Sequence, residues 1–280
     1  MAVTSCRHFC IISRFLWQPA EFFTKFVLLL PVPDSAMILE IAVYSLEAAI
    51  TAQKAGAGRI ELCAAPAEGG LTPSAATLRL ARKYLKIPIH VMIRPREGDF
   101  CYSDLEFNAM LLDIQAAKIA GMDGIVAGIL SKDGTVDTGR MRVLAEAAAP
   151  MPVTFHRAFD MTCDLFDSLE KIVGCGIKRI LTSGGRQTAC EALPVIRRLA
   201  EAANGRISIM PGSGINEHNI REVIDRTGVS EIHLSAKMHI PGNMEYKNTA
   251  VAMGGNVIIP EYDLLLPDAD AISRIRKLID

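Results

Sequence analysis

Several things are missing from this sequence of 280 residues: a second tryptophan, a surplus of either charge, a Cys-x-x-Cys pair and a long apolar run. Thirty Lys+Arg against 31 Asp+Glu leave a formal charge of −1, so there is no basic footprint for nucleic acid or an anionic membrane surface. No apolar stretch reaches the roughly 18–20 residues that span a bilayer. Seven cysteines, an odd number without Cys-x-x-Cys spacing, suit neither a secreted disulfide framework nor a zinc ribbon. They point to reduced thiols in a cytoplasmic compartment. Half the residues are hydrophobic and 22% are charged, which is globular composition at a length normal for a single α/β barrel of about 250 residues.

Residues 1–36 read as foreign to the rest of the chain. They contain Cys6, Cys10, Trp17, Pro31 and Pro33 with no sustained period, and their one apolar run, Phe26 to Val32, sits too late and is too short for a secretory leader. The expectation is an extension outside the fold, with the domain starting at Met37. Coincidence explains Cys6 and Cys10 better than a soft-metal site does.

From Met37 onward, short β-branched runs alternate with helical stretches. Strands are expected at Ile38–Val43, Arg59–Cys63, Pro88–Arg94, Gly124–Gly128, Val153–His156, Arg179–Thr182, Ile207–Met210 and Glu231–Ser235. Helices are expected from Ser45, from Thr72-Pro73 as cap and first turn, and from the capping box Ser103-Asp-Leu-Glu106. Further helices are expected at 137–149, 164–174, 187–203, 216–226 (capped by Asn216) and 268–279. Eight βα units predict a closed parallel (β/α)8 TIM barrel of one domain. The open doubly wound alternative wants a G-x-G-x-x-G turn after its first strand, and none is there.

Alternation along each strand sorts the side chains by face. Leu39, Ile41, Val43, Ile60 and Leu62 point outward under the helices. Glu40, Ala42, Arg59, Glu61, Cys63, His90, Met92, Arg94, Thr154, His156, Glu231, His233 and Ser235 point into the barrel. A purely structural barrel fills these layers with Val, Ile and Leu, so ionisable groups here must pair with one another or serve a ligand. Pairs such as Glu40–Arg94 or Glu61–His156 are the structural version. An active site built from Glu40, Glu61, Arg94, Arg96, His156 and Asp160 is the functional one, with Asp160 orienting His156 or Arg157. The loops after the strands, where barrel enzymes carry their chemistry, include the turn Pro211-Gly-Ser-Gly214. With Ser235 and Lys237 after strand eight, Gly212, Ser213 and Gly214 make a candidate anion site.

Arg59-Ile-Glu-Leu-Cys63, Glu68-Gly-Gly-Leu-Thr-Pro-Ser74, Ile93-Arg-Pro-Arg96 with Gly98-Asp-Phe100, Thr154-Phe-His-Arg-Ala-Phe-Asp160 and Leu181-Thr-Ser-Gly184 resemble the CutC copper homeostasis family from Met37 almost to the C-terminus. The resemblance implies a cytoplasmic TIM barrel that assembles as a homodimer or homotetramer and handles copper. Members of that family often carry a cysteine two residues after the first-strand glutamate; Ala42 stands at that position here, which leaves Cys63 as the metal anchor for Cu(I). Cys101, Cys163, Cys175 and Cys190 read as packing or surface residues. The alternative is a barrel enzyme, an acid/base lyase, isomerase or hydrolase, acting on a small phosphorylated or carboxylated molecule. A small anion or a copper ion is therefore the expected partner, with neither nucleic acid nor membrane involved.

Overall fold

The computed structural model describes residues 37–251 and 260–280. The expectations about Cys6, Cys10, Trp17 and the leader question therefore lie outside the described residues. Eight parallel strands form the core sheet: β1 (Ile38–Val43), β2 (Arg59–Leu62), β3 (Ile89–Met92), β4 (Gly124–Ala127), β5 (Val153–Phe155), β6 (Arg179–Thr182), β7 (Ser208–Pro211) and β8 (Glu231–Leu234). They run in the order β7-β6-β5-β4-β3-β2-β1-β8. Pairing of β1 with both β2 and β8 curls the sheet into a nearly closed TIM barrel, with Glu40 opposite Arg59 on one side and His233 on the other.

The helices are α1 (Leu46–Lys54), α2 (Ala75–Tyr84), α3 (Asp104–Ile119), α4 (Thr138–Ala148), α5 (Leu165–Gly174), α6 (Leu193–Ala203), α7 (Ile220–Thr227) and α8 (Ala269–Ile279). Short polar side chains start most of them. Ser45 accepts from the Ala48 N–H, Asp164 from those of Phe166 and Asp167, and Ser103 with Glu106 forms the expected reciprocal capping box. Three starts differ from expectation, one of them α6, which begins at Leu193 behind a 3-10 turn at Ala189–Ala192 and not at 187. The cap of α2 is Ser74, because Thr72 is used to tie the β2 loop to the backbone of Arg94. The helix after β7 starts at Ile220, because Asn216 accepts from the His218 N–H and makes a turn of its own.

The outward strand residues are as alternation predicts. Leu39, Ile41, Ile60, Leu62, Ile89, Val91, Ile125, Phe155, Ile180 and Ile232 are fully buried in one core with the inner faces of the helices. Each such side chain contributes about 1.5–3 kcal/mol of burial. One element was not expected: between β8 and α8 the chain makes an antiparallel hairpin, β9 (Lys237–Pro241) with β10 (Asp263–Pro267). It continues directly from β8, and so sets Lys237 at the rim of the barrel. No helix among the described residues is long and apolar enough to cross a membrane.

Candidate functional site

The barrel interior holds two tiers of polar side chains. The lower tier is an ion lattice. Arg59 donates Nε to Glu40 and Nη2 to Glu231, while Arg179 grips both carboxylate oxygens of Glu231 and donates to Thr154 Oγ1 at 3.1 Å. Glu40 is 0% exposed and Arg59 4%. A lattice was one expectation for these residues, but the Glu40–Arg94 and Glu61–His156 pairs do not form: Glu40 pairs with Arg59 and His233, and Glu61 with Cys63 and His233. The reason is register, since β1 sets Glu40 beside Arg59 and His233 and leaves Arg94 above this tier, at the end of β3.

The upper tier opens to the C-terminal mouth. His233 Nδ1 lies 2.8 Å from Glu40 Oε1, and its Nε2 lies 3.8 Å from Glu61 Oε2. On its other side, the same Glu61 oxygen receives the Cys63 S–H at 3.6 Å. Cys63 packs with Met92 and Val126, bounded by Tyr44. Burial alone would raise the Glu40 pKa, but the His233 bond and the Arg59 charge outweigh it and hold this carboxyl well below the usual range. Glu61 goes the other way: burial raises it, Glu40 adds to the rise, and His233 opposes. Cys63 is pushed well up by burial and by the Glu61 charge, so it rests as a thiol. His233 is raised because Glu61 and Glu40 together overcome its burial. A cation between two carboxylates is thus what this spot favours.

Each interior histidine lies over a glycine. A Cβ on Gly124 would stand 2.6 Å from His90 Nε2, one on Gly128 would stand 2.7 Å from His156 Nδ1, and one on Gly212 would stand 3.2 Å from His233 Cδ2. Strand β4 therefore carries a glycine at its first residue and just beyond its last, where imidazoles from β3 and from the end of β5 need the space. His156 accepts the Ala158 N–H on Nδ1 at 3.2 Å and packs against Phe100 with ring centroids 4.9 Å apart. Among the described residues its Nε2 has no partner, nor has Glu61 Oε1. Burial and the neighbouring Arg94 push the His156 pKa down to about 3, so the ring is neutral.

Glu61, Met92, His156, Arg157, Gly214, His233, Ser235 and Lys237 line a cavity of about 220 Å³ at this mouth, with Ala42 and Ser213 among the other walls. Of the candidate residues, Glu61, His156, Ser213, Gly214, Ser235 and Lys237 thus share one space, and Cys63 sits behind its wall. Arg94 also borders it, but its guanidinium donates to the carbonyls of Glu68, Gly70 and Gly98 and so staples two loops together. Arg96 lies off the cavity, tied to Glu106 and Asp99. Asp160 accepts from Thr182, Ser183, Gly185 and Arg157, so it orients Arg157 and not His156. Gly212 donates its N–H to the Thr182 carbonyl, and with α7 starting only at Ile220 the turn at 212–214 is not a helix N-terminus. Sequence reasoning leaves His233 out of its candidate set, although its inward parity and its place beside Glu40 were both signals for it.

The donors around Glu61 suit a copper ion. Glu40, Glu61 and His233 bring ligand atoms within 4.8 Å of one another, and the Cys63 thiol bonds to Glu61 with the Met92 thioether in the adjoining cluster; imidazole and thiolate are both copper ligands. Glu40 holds Nδ1 of His233 and so turns Nε2 toward Glu61, the outer-shell arrangement that orients a metal-binding histidine. Binding would release the Cys63 proton and the Nε2 proton of His233.

Comparison with known proteins agrees with this picture of the barrel. The CutC family model matches residues 37–238. The chain belongs to the CutC family. It is 43% identical over 244 residues to the human protein named copper homeostasis protein cutC homolog, covering 87% of this chain and 88% of that one. A CutC family protein of Salmonella newport is 44% identical over 242 residues, covering 86% and 97%. Among solved structures, the copper homeostasis protein CutC of Streptococcus agalactiae superposes with a TM-score of 0.68 at 36% identity, covering 71% of this chain and 98% of that one. As a CutC protein, this chain is linked to copper homeostasis through its family.

Proposed function

We propose that this CutC protein handles copper as cargo at the mouth of its barrel, on Cys63, His233 Nε2 and Glu61, with the Met92 thioether beside them. The observation that carries the reading is the chain of contacts Glu40–His233–Glu61–Cys63, in which Glu61 Oε2 meets an imidazole nitrogen on one side and the Cys63 sulfur on the other. The domain that does this runs from Met37 to the C-terminus. Reduced thiols at Cys63, Cys101, Cys163, Cys175 and Cys190 support a cytoplasmic setting. Assembly as a homodimer or homotetramer is supported by α3, whose Leu105, Leu112 and Ile119 are 82%, 65% and 86% exposed at a seven-residue spacing.

Competition titration of the full chain with Cu(I) and a chelator tests the copper reading. One equivalent should bind, Cys63→Ser should abolish binding, and Ala42→Cys, which adds a thiol on the same wall, should tighten it. Undiminished binding by Cys63→Ser would refute the assignment. A second reading, acid/base chemistry on a small phosphorylated or carboxylated molecule, is favoured by one observation, the unpartnered His156 Nε2 across the cavity. It predicts turnover that survives Cys63→Ser and is lost in Glu61→Gln.

A further inference from the structure

We propose that the same cavity contains an oxyanion site in which His156 Nε2–H, the Lys237 ammonium and the backbone N–H groups of residues 213–215 receive a carboxylate or phosphate group of a small molecule. This site does not depend on copper.

The first observation is the state of His156. A neutral imidazole carries one N–H and one bare nitrogen. Nδ1 takes the backbone proton of Ala158, so Nδ1 is the bare nitrogen and Nε2 carries the hydrogen. The Nδ1–Cε1 edge lies on Gly128, which turns the other side of the ring away from β4. The ring is 4% exposed and lines the cavity, and its Nε2–H meets no acceptor among the described residues. A buried donor without an acceptor costs about 1–3 kcal/mol, so a site that keeps one is suited to a ligand that brings the acceptor.

The second observation lies after β7. Ser213 and Gly214 have consecutive left-handed backbones, with φ of +78° and +73°. The Ser213 hydroxyl is occupied by the Gln187 carbonyl, while the N–H groups of Ser213, Gly214 and Ile215 bond to no acceptor among the described residues. Successive free backbone N–H groups form a concavity for an anion. The third is charge. Lys237 Nζ stands 4.7 Å from the Tyr44 ring centroid with no carboxylate partner among the described residues, and Ala236, at φ +43°, sets the turn that brings it there. Arg157 uses Nε and Nη2 on Asp160, Ser183 and Arg186, which leaves Nη1 available. Glu61 Oε1, without a partner among the described residues, adds an acceptor in the same cavity. The ligand class that answers this set is a small oxyanion bearing a hydroxyl, with its charged end toward His156 and Lys237.

Full-length protein labelled with 15N-histidine, titrated separately with inorganic phosphate and with malonate, tests the proposal. The His156 Nε2 resonance should shift and saturate with at least one probe. Phosphate alone would identify phosphate esters, malonate alone carboxylates, and both the shared oxyanion chemistry. Lys237→Met, at the exposed rim, should weaken binding at least about tenfold, the range of one charged hydrogen bond. Lys277→Met on α8 should leave it unchanged. Cys63→Ser should lose copper and keep the anion, which separates this proposal from the copper reading. Absence of a shift with both probes, an unchanged affinity in Lys237→Met, or loss of anion binding in Cys63→Ser would each overturn it.

Discussion

Glu40→Gln should destabilise the barrel and disorient His233 at the same time. Glu40 is completely buried and joins the two tiers, receiving Arg59 Nε on one oxygen and facing His233 Nδ1 at 2.8 Å on the other. Removing one partner of a buried ion pair costs about 3–5 kcal/mol. Glutamine keeps one carbonyl oxygen and Arg59 keeps Glu231, so the loss belongs at the lower end, about 3 kcal/mol. For a domain of this size that is a fall in Tm of about 6–12 °C. Because the His233 bond and Arg59 hold the Glu40 pKa below its ordinary 4.5, its contribution is full above that pH and lost only as pH falls through the lower folded value. The gap between wild type and Glu40→Gln should therefore be constant from pH 7 to about 5 and narrow below that. Urea denaturation over that range measures it, and a copper titration should show affinity down about 10–100-fold from the lost outer-shell bond. A stability loss under about 1 kcal/mol, with copper affinity unaltered, would refute the view that Glu40 couples the tiers.

Gly128→Ala should displace His156, because the new Cβ would stand 2.7 Å from its ring; the 15N shift of Nε2 should move and anion binding should fall at least about tenfold, whereas an unperturbed ring would contradict the packing argument. Acidification from pH 6.5 to 4 should destabilise the fold, since burial holds His156 at about 3 and His90 at about 4 and the unfolded chain takes up those protons first. Glu61, raised by burial, offsets part of this, so the net uptake on unfolding should be about one to two protons, and His156→Phe should flatten the slope. Leu112→Arg, in the middle of the exposed apolar stripe of α3, should shift the sedimentation coefficient toward a monomer and leave thermal stability within about 0.5 kcal/mol; an unchanged assembly would remove α3 from the interface.

Strand parity was legible because a half-polar barrel writes it as simple alternation: Leu39, Ile41 and Val43 against Glu40 and Ala42, or Ile60 and Leu62 against Arg59, Glu61 and Cys63. Pairing inside the barrel was not, because it depends on how far each strand is staggered against its neighbours. Arg94 and Arg96 looked like ligand-gripping cations, yet Arg94 spends its guanidinium on backbone carbonyls, which no residue pattern displays. Asn216 looked like a helix cap, yet its side chain accepts the His218 N–H in a turn of its own and α7 starts only at Ile220. The β9–β10 hairpin was hidden because most of its side chains are exposed and so carry no alternation.

The glycines tell a different story from the arginines. An imidazole packed flat against a neighbouring strand needs the volume that a Cβ would fill, so a glycine one strand away marks a buried histidine whose orientation is fixed. Gly124 and Gly128 do this for His90 and His156, and Gly212 borders His233. Two of these rings have a nitrogen without a protein partner, and the third stands between two carboxylates. The interior arginines Arg59 and Arg179 are bound to carboxylates and hydroxyls, and Arg94 is bound to carbonyls through both Nη atoms, so the inward groups left to meet a ligand are imidazoles, one thiol, one half-engaged carboxylate and Arg94 Nε. On the proposed reading, that inventory gives the cation to Glu61, His233 and Cys63 and gives the anion to His156.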